Sequence, residues 1–341
     1  MRSLLLDYRE RLDVPAVIAA ITDASELIDI DVVGARSRHP DAGAAGIDDQ
    51  WHIGSCGKSI TAALYGRLVE AGAASWTTPV ADLFPDITGI DDGWATPTVE
   101  DLLHCRAGVA ANPSALEMRR LFSCEDPITE QRTDAARKVL QSEPKRPGRF
   151  VYSNLSYALV GAAIDRLGGE PYEDALTHRI WEPLGITTAG LGPPPGVRGH
   201  RPRLRLGPLI AGRGGPAVPD DGKVADNPPL LTPAGRIHLS VPDWARFQRV
   251  FLGDGDFLSS ETVARLLAQP DDGRGIAMGW ASGERLGVSH AMQGSNTMWA
   301  ATALMDRDSA RTCMVVVNDG RTRVLATSAQ LAGRLLETHK G

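Results

Sequence analysis

The chain has 341 residues, 43 % of them hydrophobic and 23 % charged, with a formal net charge of −6 at pH 7. That length can bury a large core, as one big domain or two lobes, and the acidic balance gives no electrostatic reason to expect nucleic acid as a partner. No apolar run approaches the roughly 20 residues that span a bilayer, and the four cysteines and eight histidines contain neither Cys-x-x-Cys nor His-Glu-x-x-His, so no metal, cofactor or disulfide framework is expected.

Met1-Arg2-Ser3-Leu4-Leu5-Leu6-Asp7 breaks its leucine run with charge and is no signal peptide as it stands. That reads as cytoplasmic, although a sequence already trimmed of a leader would look the same. Residues 4–12 suit a short amphipathic helix, and Val14–Ile21 and Leu27–Val33 read as strands around a turn at Asp23-Ala24-Ser25. After a Gly-, Ala- and Asp-rich loop over 34–49, a helix runs from about Ser55 to Ala71 and ends at Gly72. Helical segments follow near 98–104, 114–122, 128–141 and 153–168, separated by Pro and Gly. The stretch 192–229 is crowded with Pro, Gly and Arg (Arg198, Arg201, Arg203, Arg205, Arg213) and reads as a solvated loop. Helices are expected over 242–252 and 260–268, strands over 297–305 and 312–318, and a terminal amphipathic helix over 323–339. This order predicts one α/β (α+β) layer built from residues 1–76 and 195–341, with a helical subdomain over 77–194 inserted between its halves.

Three segments carry chemistry. In Ser55-Cys56-Gly57-Lys58 the i and i+3 positions share a helix face, so Lys58 can stand beside the Ser55 hydroxyl as the base that a serine nucleophile needs. The partial positive charge of a helix's first turn would favour an oxyanion forming there. Ser142-Glu143-Pro144-Lys145 has the same spacing, but Pro144 lets no helix run through it. Cys56, next to the nucleophile, reads as a small buried filler.

In Tyr152-Ser153-Asn154 a phenol that could relay a proton is followed by an amide able to meet Lys58 or a substrate amide; a core aromatic and a helix cap is the plainer reading. In His290-Ala291-Met292-Gln293-Gly294-Ser295-Asn296, residues 290, 292 and 294 share a face if the segment is a strand. Gly294 would then admit a substrate close to the backbone, and the Ser295 amide could join that of Ser55 as an oxyanion hole; a glycine bulge in an edge strand is the plainer reading here.

Ser-x-x-Lys, Tyr-x-Asn and a late glycine strand, in this order, resemble the serine β-lactamase-like and penicillin-binding-protein-like hydrolases: class C β-lactamases, D-alanyl-D-alanine carboxypeptidases and related family VIII esterases. The likeness extends over Asp101-Leu102-Leu103-His104-Cys105-Arg106-Ala107-Gly108, Glu182-Pro183-Leu184-Gly185, Asp243-Trp244-Ala245-Arg246-Phe247 and Gly294-Ser295-Asn296. The resemblance implies a β-lactamase-like fold, an antiparallel sheet flanked by helices with an inserted all-helical subdomain. It also implies that Ser55 is acylated while Lys58 and Tyr152 shuttle its proton.

Relatives carry Lys-Thr-Gly or His-x-Gly at the third motif. Here Met292 stands two before Gly294 and the nearest imidazole is His290, so the usual partner of a substrate carboxylate is missing or displaced. The expectation is a small-molecule hydrolase acting on an ester, lactone or amide, carboxylesterase-like first. A β-lactamase or D-Ala-D-Ala-type peptidase, an acyltransferase using the same acyl-enzyme, and a non-catalytic binding protein are the rivals. No Gly-x-Ser-x-Gly occurs, which excludes an α/β-hydrolase. Oligomeric state has no sequence reading.

Overall fold

In the computed structural model the described residues are 1–202, 214–217, 225–253, 256–270 and 272–339. Helix α1 (Arg2–Leu12) leads into the antiparallel strands β1 (Ala16–Thr22) and β2 (Leu27–Gly34). Then come β3 (Gln50–His52), α2 (Gly57–Glu70) and a run of helices: α3 (Val99–Leu103), α4 (Ala115–Leu121), α5 (Ile128–Leu140), α6 (Asn154–Gly168), α7 (Tyr172–Leu176) and α8 (Glu182–Leu184). The chain returns through β4 (Gly190–Leu191), β5 (His200–Pro202), β6 (Gly214–Ala217) and β7 (Ile237–Ser240). It closes with β8 (Ala281–Ser282), β9 (His290–Ser295), β10 (Ala300–Asp306), β11 (Arg311–Val317) and a terminal helix Thr322–Thr338.

The main sheet has the order β2-β1-β11-β10-β9-β8, so both chain ends build it. Strand β1 (AVIAAIT) is buried at every position because both its faces are covered. Val17, Ala19 and Ile21 meet Leu5, Leu12 and Leu335 of the two terminal helices. Ala16, Ile18 and Ala20 belong to the larger core shared with Ile60 and Leu64 of α2. The period of two thus splits one apolar run between two cores.

A second sheet, β3-β7-β4, was not expected from the sequence. Its strands of three, four and two residues are too short to show a period. Strand β10 starts at Ala300 rather than 297, because residues 296–299 form the turn that enters it. Of the arginine-rich loop, Arg203, Arg205 and Arg213 lie outside the described residues.

The helical region is pinned by Arg132 of α5, whose buried guanidinium donates to Asp165 of α6 at 2.7 and 2.8 Å and to Glu173 of α7 at 2.8 and 2.9 Å. Removing it strands two carboxylates, and burial already pushes that of Asp165 upward. Arg132→Ala is therefore expected to cost about 3–5 kcal/mol, read as a lower urea midpoint.

Candidate active site

Ser55 does not open α2 itself but sits in the 3-10 turn Gly54–Cys56 just before it. Strand β3 delivers the chain to that turn, where the Ile53 amide donates to the Ile237 carbonyl at 3.1 Å and the Cys56 amide to the Ile53 carbonyl at 3.2 Å. Gly54 has φ +53°, and a Cβ there would lie 2.4 Å from the Ser295 amide nitrogen. A Cβ on Gly294 would lie 2.1 Å from the Ile53 carbonyl oxygen and 2.6 Å from the Ser55 nitrogen. Bare backbone thus meets bare backbone, which only glycine permits. The same geometry brings the Ser55 and Ser295 backbones side by side.

Lys58 lies one turn on, 1 % exposed. Its Nζ is 3.2 Å from Ser55 Oγ and donates to Asn154 Oδ1 at 2.7 Å and to the Ala234 carbonyl at 2.6 Å. Two of the three positions on Nζ are therefore taken by carbonyl oxygens, which demand N–H donors, and the third faces the serine hydroxyl. Asn154 is the first residue of α6, capped by Ser153, whose Oγ accepts from the Ser156 amide at 2.9 Å. Asn154 Nδ2 donates to Asn112 Oδ1 at 2.8 Å. The Tyr152 ring lies 4.8 Å from Lys58 Nζ with the residue 40 % exposed, and buried Tyr157 stands 5.3 Å from the same Nζ. Lys58 is thereby held between two aromatic faces and three oxygens.

Strand β9 confirms the shared face of 290, 292 and 294 but separates their surroundings. Gly294 meets the Ser55 turn, whereas Met292 is core and its sulfur accepts from Ser59 Oγ at 3.7 Å. His290 does not reach the site: its Nε2 contacts the Leu267 carbonyl at 3.0 Å, its ring meets the edge of Trp280, and burial pushes the imidazole pKa down. Four strand residues from Gly294 amount to about 13 Å, too far for a side chain to return. Cys56 is buried and its thiol is pushed up by burial, as befits a filler.

Ser55 opens into a cavity of about 500 Å³ whose walls include Asn112, Asn154, Asn227, Ser295 and Thr297. Asn112, Asn227, Thr297 and the Ala234 carbonyl carry no local motif; only their arrival at one cavity marks them. Among the described residues no three His, Cys, Asp or Glu are placed to hold a metal ion, and no helix is long and apolar enough to cross a membrane.

The sheet built from both chain ends, with Ser-x-x-Lys at the head of its buried helix, is the β-lactamase-like fold of the serine hydrolases. The chain belongs to the β-lactamase family, whose model, described as Beta-lactamase, matches residues 2–336. Penicillin-binding protein 4 of Amycolatopsis lactamdurans is 30 % identical over 249 residues, 69 % of this chain and 62 % of that protein. The chain therefore spans less than two thirds of that relative's length.

Two solved structures share the fold from end to end. One is a D-amino acid amidase from Ochrobactrum anthropi SV3 (TM-score 0.76, 23 % identity, 99 % of this chain and 97 % of that one). The other is a class C β-lactamase from Rhodobacter sphaeroides (TM-score 0.73, 19 % identity, 99 % of both chains).

Proposed function

We propose that the chain hydrolyses carboxylic esters, and amides or lactones more slowly, through an acyl-enzyme on Ser55. The observation that carries this is the seat of Lys58 Nζ, tied by two carbonyl oxygens and turned to the Ser55 hydroxyl at 3.2 Å. As a neutral amine Lys58 would donate to Asn154 and Ala234 and take the serine proton on its lone pair. The Ser55 and Ser295 amides would hold the oxyanion. Protonated Lys58 would return the proton to the leaving group, and Tyr152 would help to activate the water that releases the acyl group.

The preference for esters of uncharged acids follows from the cavity wall. Among its described residues none carries a charged side chain, so a substrate carboxylate would lose water without gaining a cation. A second cavity of about 730 Å³ shares Asn112 and Pro113 with the first; Leu121, Ala135, Val139, Leu155 and Leu230 in its wall suit an extended apolar group, beside Glu117, Arg120, Asp126, Asp134 and Lys138.

A panel of p-nitrophenyl esters from acetyl to decanoyl, lactones, D-amino acid amides and benzylpenicillin, followed by kcat/KM and intact mass, tests the reading. Esters are expected to lead, and medium chains to exceed acetyl. Benzylpenicillin turned over faster than every ester would remove the preference for uncharged acids. No mass gain on Ser55 with any donor would remove the hydrolase. An added amine or alcohol that captured most of the acyl group would make the enzyme a transferase.

A further inference from the structure

Behind the nucleophile turn lies a buried hydrogen-bonded chain that the steps above do not use. We infer that His52, Asp226 and Asn296 are positioning residues that hold the Ser55 and Ser295 amides in register; the inference rests on the hydrolase reading above. His52, fully buried, ends β3. Its Nδ1 accepts the Gly54 N–H at 3.0 Å, and a ring nitrogen that accepts carries no proton. The imidazole proton is then on Nε2, where it donates to Asp226 Oδ2 at 2.9 Å. The other carboxylate oxygen of Asp226 accepts from Asn296 Nδ2 at 3.0 Å. Asn296 Nδ2 also donates to the Ala225 carbonyl at 3.3 Å, and its Oδ1 accepts the Met298 and Trp299 amides at 3.2 and 3.3 Å. Trp299 stacks on the His52 ring at 5.5 Å.

The chain of bonds runs from Gly54, one residue before Ser55, to Asn296, one residue after Ser295. Its place in the topology explains the need for it. Strand β3 belongs to the small sheet and β9 to the large one, so no ladder of backbone hydrogen bonds joins the two oxyanion donors. Side chains bridge the gap between the sheets. The Asn296 acceptor also holds a turn in which Thr297, a β-branched residue, takes φ +72°, a conformation that persists only where surroundings impose it.

The charges facing this chain are Arg236 of the segment entering β7, 3.6 Å from Asp226, and His238 of β7. Burial would raise the Asp226 carboxyl, but His52, Arg236 and Asn296 outweigh it and hold it below the usual range. A pair that only neutralised Arg236 would have no use for the Gly54 and Asn296 bonds.

The test exchanges the two polar groups. Asp226→Asn alone sets two amide donors against each other, and Asn296→Asp alone sets two carboxylates. The double variant D226N/N296D restores the His52–226–296 links with the groups swapped, although the Asn227 amide, which donates to Asp226 Oδ1 at 2.8 Å, and the Ala225 carbonyl lose their partners. His52 Nε2–H then donates to the amide oxygen at position 226, and the amide nitrogen there donates to the carboxylate at position 296. That carboxylate accepts the Met298 and Trp299 amides as before. Each single variant is expected to lower kcat and the rate of fluorophosphonate labelling of Ser55 about ten- to hundredfold, with KM little changed. The double variant is expected to recover part of that loss, about three- to tenfold.

Single variants that label Ser55 at the wild-type rate would overturn the inference, as would a double variant with wild-type melting temperature and no recovery. His52→Gln serves where a single variant does not fold. It keeps a donor towards Asp226 and removes the Gly54 acceptor, and a wild-type kcat in it would also overturn the inference. Wild-type protein that no fluorophosphonate labels would instead refute the hydrolase reading beneath it.

Discussion

Ser55→Ala is expected to give a folded protein that forms no adduct with fluorophosphonates or activated esters, with turnover lowered by about 10⁴-fold or more. Stability should barely change, because Lys58 keeps both carbonyl partners, Asn154 Oδ1 and Ala234 O. Lys58→Ala differs in kind. It removes the proposed base, worth about 10²–10⁴-fold, and leaves two oxygens at the cavity wall without their donor, costing about 1 kcal/mol each. Catalysis and melting temperature should therefore fall together in Lys58→Ala and separately in Ser55→Ala.

The two residues act as a unit, so the double variant should be no slower than Ser55→Ala. Tyr152→Phe keeps the ring 4.8 Å from Nζ and removes only the hydroxyl. Labelling should survive there while the acyl-enzyme accumulates in intact-mass spectra. Wild-type turnover in that variant would confine Tyr152 to a cation–π role. Labelling of Ser55→Ala at wild-type stoichiometry would move the nucleophile elsewhere.

The sequence showed the cluster around Lys58 far better than the walls around it. Ser55, Lys58 and Asn154 sit at helix starts, where spacing translates directly into geometry, and all three meet. The decoy at Ser142 failed for the reason its proline suggested. The Ser142 carbonyl accepts from Trp94 Nε1, and the chain leaves α5 before Lys145 could turn back onto it. His290 illustrates the limit of periodicity, which assigns a face but not a place along the strand.

The small sheet escaped notice because its strands are short and buried, and Asp226 because the Pro- and Gly-rich loop around it has no period. The Ala234 carbonyl has no sequence mark at all. His52 lies only three residues before Ser55. Its role depends on partners more than 170 residues away, Asp226 and Asn296, which only the closed fold supplies.

Gly294→Ala should lower activity far more than a single added methyl group ordinarily does. Its Cβ would lie 2.1 Å from the Ile53 oxygen, 2.6 Å from the Ser55 nitrogen and 2.7 Å from the Cys56 nitrogen, all backbone atoms that no rotamer can move aside. Either β9 retreats or the nucleophile turn does, and both movements part the Ser295 amide from the Ser55 amide. Loss of one oxyanion donor predicts a fall in kcat/KM of about 10²–10³-fold, and the overpacking a loss of about 1–3 kcal/mol in stability.

Gly333→Ala supplies the control. That glycine lies within the terminal helix with nothing within 4 Å of the added carbon, so the same methyl should raise stability by about 1 kcal/mol and leave activity alone. Urea unfolding and ester kinetics on the pair separate local crowding from a general effect of alanine. If Gly294→Ala kept wild-type kcat/KM, the oxyanion donors would have to be sought away from β9. Opposite signs at the two glycines would show that the catalytic turn is set by the closeness of two backbones, which no side chain of the motif encodes.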